Sequence, residues 1–132
     1  MTKVYLIDDD PFFSKLLGRK LSEWGYAVKI FMSVEDALPS LYEKPDVIVL
    51  DHNFGTSETK GNDYIPLLKM HSQDSALLYV TSETSKSVID RSIDRGADMY
   101  LTKDEEVYDL INPIIKQLIS EKGNQTNGWG MW

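Results

Sequence analysis

Short runs of consecutive apolar residues alternate along this chain with longer stretches in which apolar positions recur every three or four residues. The runs fall at residues 4–7, 27–31, 47–50, 77–80 and 99–101. Several are apolar at every position, as parallel strands buried on both faces require. The stretches between them predict helices. In the first, Phe13, Leu16, Leu17, Leu21 and Trp24 share one face, and Gly25 follows as a stop. Ser33, with Asp36 three residues on, opens the second in the manner of a capping box. A third helix is expected over 62–71 and a fourth over 85–95, ahead of Gly96. The last carries the strongest stripe, with Val107, Leu110, Ile111, Ile114, Ile115, Leu118 and Ile119 at helical spacing. Strands alternating with helices predict an α/β domain built on a parallel sheet. Pro39 and Pro113 fall inside expected helices, where each removes an amide donor, so a kink or early break is expected at both.

The character of the chain changes after Lys122. Residues 123–128 are Gly, Asn, Gln and Thr, followed by Trp129-Gly130-Met131-Trp132. This predicts a folded domain over 1–122 and a tail or truncated linker over 123–132, with a docking peptide as the other reading of the two tryptophans. The 132 residues suit one domain with a true core, and 42% hydrophobic against 27% charged residues is a globular balance. Cysteine is absent, which excludes disulfides and thiolate metal sites and agrees with a cytoplasmic location. The first apolar run is too short for a signal peptide, and none approaches a membrane span. A net charge of −7 argues against non-specific binding to nucleic acid or to anionic membranes.

Some of that negative charge is concentrated where chemistry is expected. In open parallel α/β sheets, sites form beyond the carboxyl ends of the strands, where strand order reverses. Asp8 and Asp9 follow the first strand and Asp51 ends the third. With strand order 2-1-3-4-5 those strands are neighbours, and the three carboxylates converge. Such a cluster needs a cation; Mg²⁺ suits it, because it binds a few carboxylates together with water and phosphate oxygens. Thr81 at the end of the fourth strand and Lys103 after the fifth add a hydroxyl and an ammonium at the same edge. A carboxylate nucleophile, a metal, a hydroxyl and a lysine are the parts that phosphoryl transfer asks for. Asp10, before Pro11, is instead expected to cap the first helix.

Four segments carry a family resemblance: Leu6-Ile7-Asp8-Asp9-Asp10-Pro11, Val47-Ile48-Val49-Leu50-Asp51, Thr81-Ser82 and Tyr100-Leu101-Thr102-Lys103. In this order, each at a strand end, they resemble the receiver domain of bacterial two-component response regulators over about residues 3–120. The resemblance implies a flavodoxin-like (βα)₅ three-layer sandwich with a parallel five-stranded sheet. It implies that Asp51 accepts a phosphoryl group from a histidine kinase or phosphotransfer protein, and that Asp8, Asp9 and Asp51 hold Mg²⁺ together with the Asn53 carbonyl. Lys103 would pair with one phosphoryl oxygen and Thr81 would donate to another. Tyr100 would then turn inward and alter the surface of the fourth helix, fifth strand and fifth helix. That surface is where an output protein, an attached domain or a second copy of the chain would bind. The resemblance implies a switch and not a turnover enzyme.

Asn53 and Glu83 lie two residues beyond Asp51 and Thr81, so they either position a hydrolytic water or are plain exposed side chains. His52 adjoins the acceptor but is expected to point away from it by strand alternation. Two departures from the family pattern stand out. Lys103 is followed by Asp104 where a proline is usual, so either a non-proline cis bond or a different loop path is expected. The loop over 52–61 lacks the common proline and is about two residues longer than usual. Two rival readings stay open. One is an aspartate-nucleophile phosphatase of the haloacid-dehalogenase type using Asp8; the other is a receiver-like interaction module that is never phosphorylated. The first lacks a later acidic metal motif and leaves Asp51 without a role.

Overall fold

A computed structural model describes residues 1–51, 61–82 and 85–130, with residues 61–63 and 123–130 as backbone only. Its strands are β1 (Lys3–Ile7), β2 (Ala27–Phe31), β3 (Val47–Asp51), β4 (Ala76–Thr81) and β5 (Met99–Thr102). All pair in parallel in the order β2-β1-β3-β4-β5. The central strands β3 and β4 are buried along their whole length, which their unbroken apolar runs anticipate; the edge strand β2 is not.

Alternate residues of each strand feed two separate cores. On one face Val4, Leu6, Val47, Val49, Leu78 and Val80 pack against α1 (Pro11–Glu23) and α5 (Val107–Gly130). On the other, Tyr5, Ile7, Ile48, Leu50, Leu77 and Tyr79 meet residues of α2 (Val34–Ala37), the 3₁₀ turn Leu38–Glu43 and α3 (Gly61–His71), with Val88 of α4 (Lys86–Asp94) packed beside them. The result is the expected three-layer sandwich.

Caps set the helix starts. Asp10 accepts from the amides of Phe12 and Phe13 at 3.0 and 3.2 Å, Ser33 from Asp36 N at 3.1 Å, and Ser85 from Val88 N at 3.4 Å. Gly25 (φ 96°) and Gly96 (φ 123°) turn the chain left-handed after α1 and α4, the conformation that closes a helix against its last carbonyls.

The prolines behave differently from one another. At Pro39 the α2 helix gives way to a 3₁₀ turn, as expected of a residue that cannot donate to the preceding turn. Pro113 does not break α5: the helix passes through it, with the ring on the exposed side and Ile111 and Ile115 buried beside it. Burial of that stripe outweighs the one missing hydrogen bond. Pro66 sits inside α3 in the same way, a feature the sequence reading passed over. At the far end α5 runs on to Gly130, so the change in composition at Lys122 does not end the helix as a linker there would.

The bottom of the sheet is tied by Asp98, in the turn between α4 and β5. Its amide donates to Leu77 O at 2.9 Å, its Oδ2 accepts from Leu77 N at 2.7 Å, and Lys69 Nζ reaches the same oxygen at 3.2 Å. Leu77 is fully buried, so its amide has no water to turn to. Asp98→Ala is therefore expected to lower the unfolding free energy by about 1–3 kcal/mol, and Asp98→Asn by less, in urea titrations followed by circular dichroism.

Candidate functional site

The register of the sheet places three acidic side chains at one edge. β1 and β3 pair Ile7 with Leu50, so Asp8 and Asp51 leave adjacent strand ends side by side. Oxygen atoms of Asp8, Asp9 and Asp51 lie within 4.8 Å of one another. Asp8 is fully buried and Asp51 is 5% exposed, an unusual setting for two carboxylates. β4 and β5 pair Thr81 with Thr102, and Lys103 N donates to Thr81 O at 2.7 Å, so the lysine starts from the same edge. Its ammonium reaches Asp8 Oδ2 at 3.2 Å and Asp51 Oδ1 at 3.4 Å.

Among the described residues one ammonium faces three carboxylates, and the imbalance shows in the proton affinities. Burial pushes the pKa of Asp51 up to about 7, the charge of Asp8 adds to this, and Lys103 opposes it. Asp8 is also raised by burial, against the Asp10 amide donating to Oδ1 at 2.8 Å and the pull of Lys103. Burial would lower the pKa of Lys103, but Asp51 and Asp8 outweigh it and leave the lysine above its usual range. A hard divalent cation would supply the missing positive charge. The donor set fits one: all three groups are carboxylates, they lie close enough to share an ion, and the buried pair lacks full compensation.

Asp8, Asp9, Asp51 and Lys103 are thus brought together as the sequence suggests, and fully buried Thr81 stands at the same edge. Tyr100 is not in the cluster. It is 38% exposed and lines a groove of about 340 Å³ with Leu101, Asp104, Glu106 and Leu110, on the side of the sheet edge next to α5. Asn53, Glu83, His52 and the loop 52–60 lie outside the described residues. Asp10 serves as the helix cap. Among the described residues there is no cis peptide bond, so the chain takes the other loop path at Lys103-Asp104. There Asp104 N donates to Thr102 O at 3.0 Å, and the Asp104 carboxylate accepts from Glu106 N at 2.9 Å.

One site residue escaped the sequence reading. The ring of Phe13 lies under the ammonium of Lys103, with 4.1 Å from Nζ to the ring centroid. The sequence offers Phe13 only as a core position of α1. Its placement depends on Asp10 fixing where the helix begins, a signal that could have been followed one turn further.

Known proteins share this architecture and its motifs. The profile of the family described as the response regulator receiver domain matches residues 4–115. Over 95% of its length the chain is 29% identical to a nitrate/nitrite response regulator protein homolog of Haemophilus influenzae, covering 67% of that protein. It is also 29% identical to the response regulator MprA of Mycolicibacterium vanbaalenii, over 83% of this chain and 47% of that one. The chain spans about half the length of most of the curated relatives it matches. Among solved structures, a response regulator of Burkholderia pseudomallei with a phosphorylated aspartic acid, a calcium ion and citrate superposes with a TM-score of 0.79. It is 28% identical, with 96% of this chain and 73% of that one covered. A CheY-like receiver domain protein from Methanospirillum hungatei, 20% identical with a TM-score of 0.82 over 95% of this chain and 98% of its own, shares the fold. With its sheet order, its acidic edge and a profile match over most of its length, this chain belongs to the response regulator receiver domain family.

Proposed function

We propose that this domain is a phosphoacceptor switch of a two-component relay, in which Asp51 takes a phosphoryl group from a histidine kinase or a phosphotransfer protein. The observation that carries the reading is the meeting of the Asp8, Asp9 and Asp51 oxygens within 4.8 Å, with Lys103 between the buried pair. An Asp51 oxygen attacks phosphorus, the bond from phosphorus to the donor atom breaks, and an acyl phosphate forms on Asp51. Asp8 and Asp9 would hold Mg²⁺ with Asp51, and the bound ion would neutralise charge on the transferring oxygens. Lys103 pairs with one of those oxygens and Thr81 donates to another. Attack needs the ionised form of Asp51, which burial disfavours and a neighbouring cation favours.

The output surface in this reading is the face of α4, β5 and α5. Tyr100 is exposed at its rim, and its inward turn on phosphorylation would remodel the groove it shares with Leu110. The partner there is an output protein, a further domain of a longer protein, or a second copy of this chain. The domain acts as a switch and not as a turnover enzyme, within the cytoplasm. Among the described residues no helix is long and apolar enough to cross a membrane.

Incubation with Mg²⁺ and acetyl phosphate is expected to add one acid-stable, base-labile phosphate, read by intact mass, and Asp51→Asn is expected to abolish it. Phosphate mapped to Asp8 would instead favour the phosphatase reading, and no phosphate would favour the interaction module. A second expectation concerns the metal-free protein. Asp51 is raised above its unfolded value, so the folded state holds the extra proton. Its contribution is fully present below about pH 4 and is lost as pH rises through about 7. Metal-free wild type should therefore lose stability over that range, whereas Asp51→Asn should lose less and be the more stable protein at pH 8, by on the order of a few kcal/mol. Mg²⁺ added at pH 8 should raise the melting temperature of wild type well above any rise in Asp51→Asn. Equal pH profiles for the two proteins would contradict this account.

A further inference from the structure

Phe13 stands in the first turns of α1, 7% exposed, and its ring does more than fill the core. Lys103 Nζ lies 4.1 Å from the ring centroid, while its separations from Asp8 and Asp51 are 3.2 and 3.4 Å. Both ion-pair distances exceed the roughly 2.7–2.9 Å of a tight charge-assisted hydrogen bond, so the carboxylates attract the ammonium without fixing its position by themselves. A lysine head on four flexible carbons needs another constraint to stay in one place. We propose that Phe13 is a positioning residue for Lys103, its ring face holding the ammonium over the acidic cluster where it can meet the transferring phosphoryl oxygens.

The ring is itself held on several sides. Asp10 accepts from Phe13 N at 3.2 Å, Tyr108 of α5 lies 6.0 Å away centroid to centroid, and Leu17 and Val107 belong to the same core. Its face carries the negative end of the ring quadrupole, and a largely desolvated cation above it is favoured by roughly two- to thirtyfold. This attraction is independent of the carboxylates. A divalent cation among Asp8, Asp9 and Asp51 would weaken their pull on Lys103 and leave the ring face unaffected, so the constraint would persist when phosphoryl transfer calls on the lysine. Leucine at position 13 would bury comparable apolar surface without the quadrupole, which separates positioning from packing.

The proposal rests on the phosphoacceptor reading above, and its test separates the two. Phe13→Leu, Phe13→Tyr, Lys103→Met and Phe13→Leu/Lys103→Met are compared with wild type in two measurements. The first is the rate of phosphorylation by acetyl phosphate with Mg²⁺; the second is urea unfolding without metal. Phe13→Leu should slow phosphorylation about fivefold when Lys103 is present and hardly at all in the Lys103→Met background, while Phe13→Tyr should stay close to wild type. In the metal-free unfolding equilibrium the two substitutions should be non-additive by a factor of about three or more. Strictly additive effects, or a Phe13→Leu protein that folds and is phosphorylated at the wild-type rate, would overturn the proposal. Should Phe13→Leu fail to fold, Phe13→Met gives the same contrast with a more adaptable side chain. Wild type that takes up no phosphate sinks the phosphoacceptor reading instead, and the metal-free cycle then still decides whether the ring holds Lys103.

Discussion

Two carboxylates almost wholly buried, with Lys103 between them, form the constraint around which the rest of this domain is arranged. Asp8 and Asp51 are placed side by side by the pairing of β1 with β3. Each strand arrives there because its apolar residues bury on both faces of the sheet, not because the carboxylates attract. The hydrophobic core thus drives an arrangement that electrostatics alone would resist. The strain appears as the raised proton affinity of Asp51, and Lys103, held in its charged form by the same carboxylates, relieves part of it. A site in this condition responds strongly to any charge that enters it, whether cation, proton or phosphoryl group.

Small local structures keep the imbalance from spreading. The charge of Asp10 adds some repulsion to Asp8, but its side chain is turned to the amides of Phe12 and Phe13, and its own amide steadies Asp8. The cap also sets the phase of α1, which carries the Phe13 ring beneath Lys103. On the opposite wall the lysine is anchored through its backbone to Thr81, so β4 and β5 deliver it together. Among the described residues the acidic edge is therefore built by four strands and one helix start.

Much of this was legible in the sequence, and the reasons differ by element. Strands β1, β3 and β4 announce themselves by unbroken apolar runs, and α5 by a stripe strong enough to override Pro113. The acidic pair, Asp51, Thr81 and Lys103 could be placed at one edge because topology converts a place at a strand end into a place in space. Contacts between elements far apart in sequence could not. The Phe13–Lys103 stacking joins residues from α1 and the turn after β5, and nothing in local pattern connects them. The continuation of α5 past Lys122 was missed for the opposite reason, since Gly and Asn are weak helix formers and composition alone favoured a linker there.

The turn after Lys103 shows how one structural role can be filled by different chemistry. Where a proline ring could stiffen the turn, this chain has Asp104, whose side chain folds back onto Glu106 N while its carbonyl accepts from Val107 N at 3.1 Å. A covalent ring enforces its geometry in every state of the chain, folded or not. A hydrogen-bonded acceptor enforces it only once α5 has formed its first turn. Placement of the lysine thereby becomes conditional on the helix behind it, and events at the start of α5 acquire a direct mechanical route to the acidic edge where Asp51 stands.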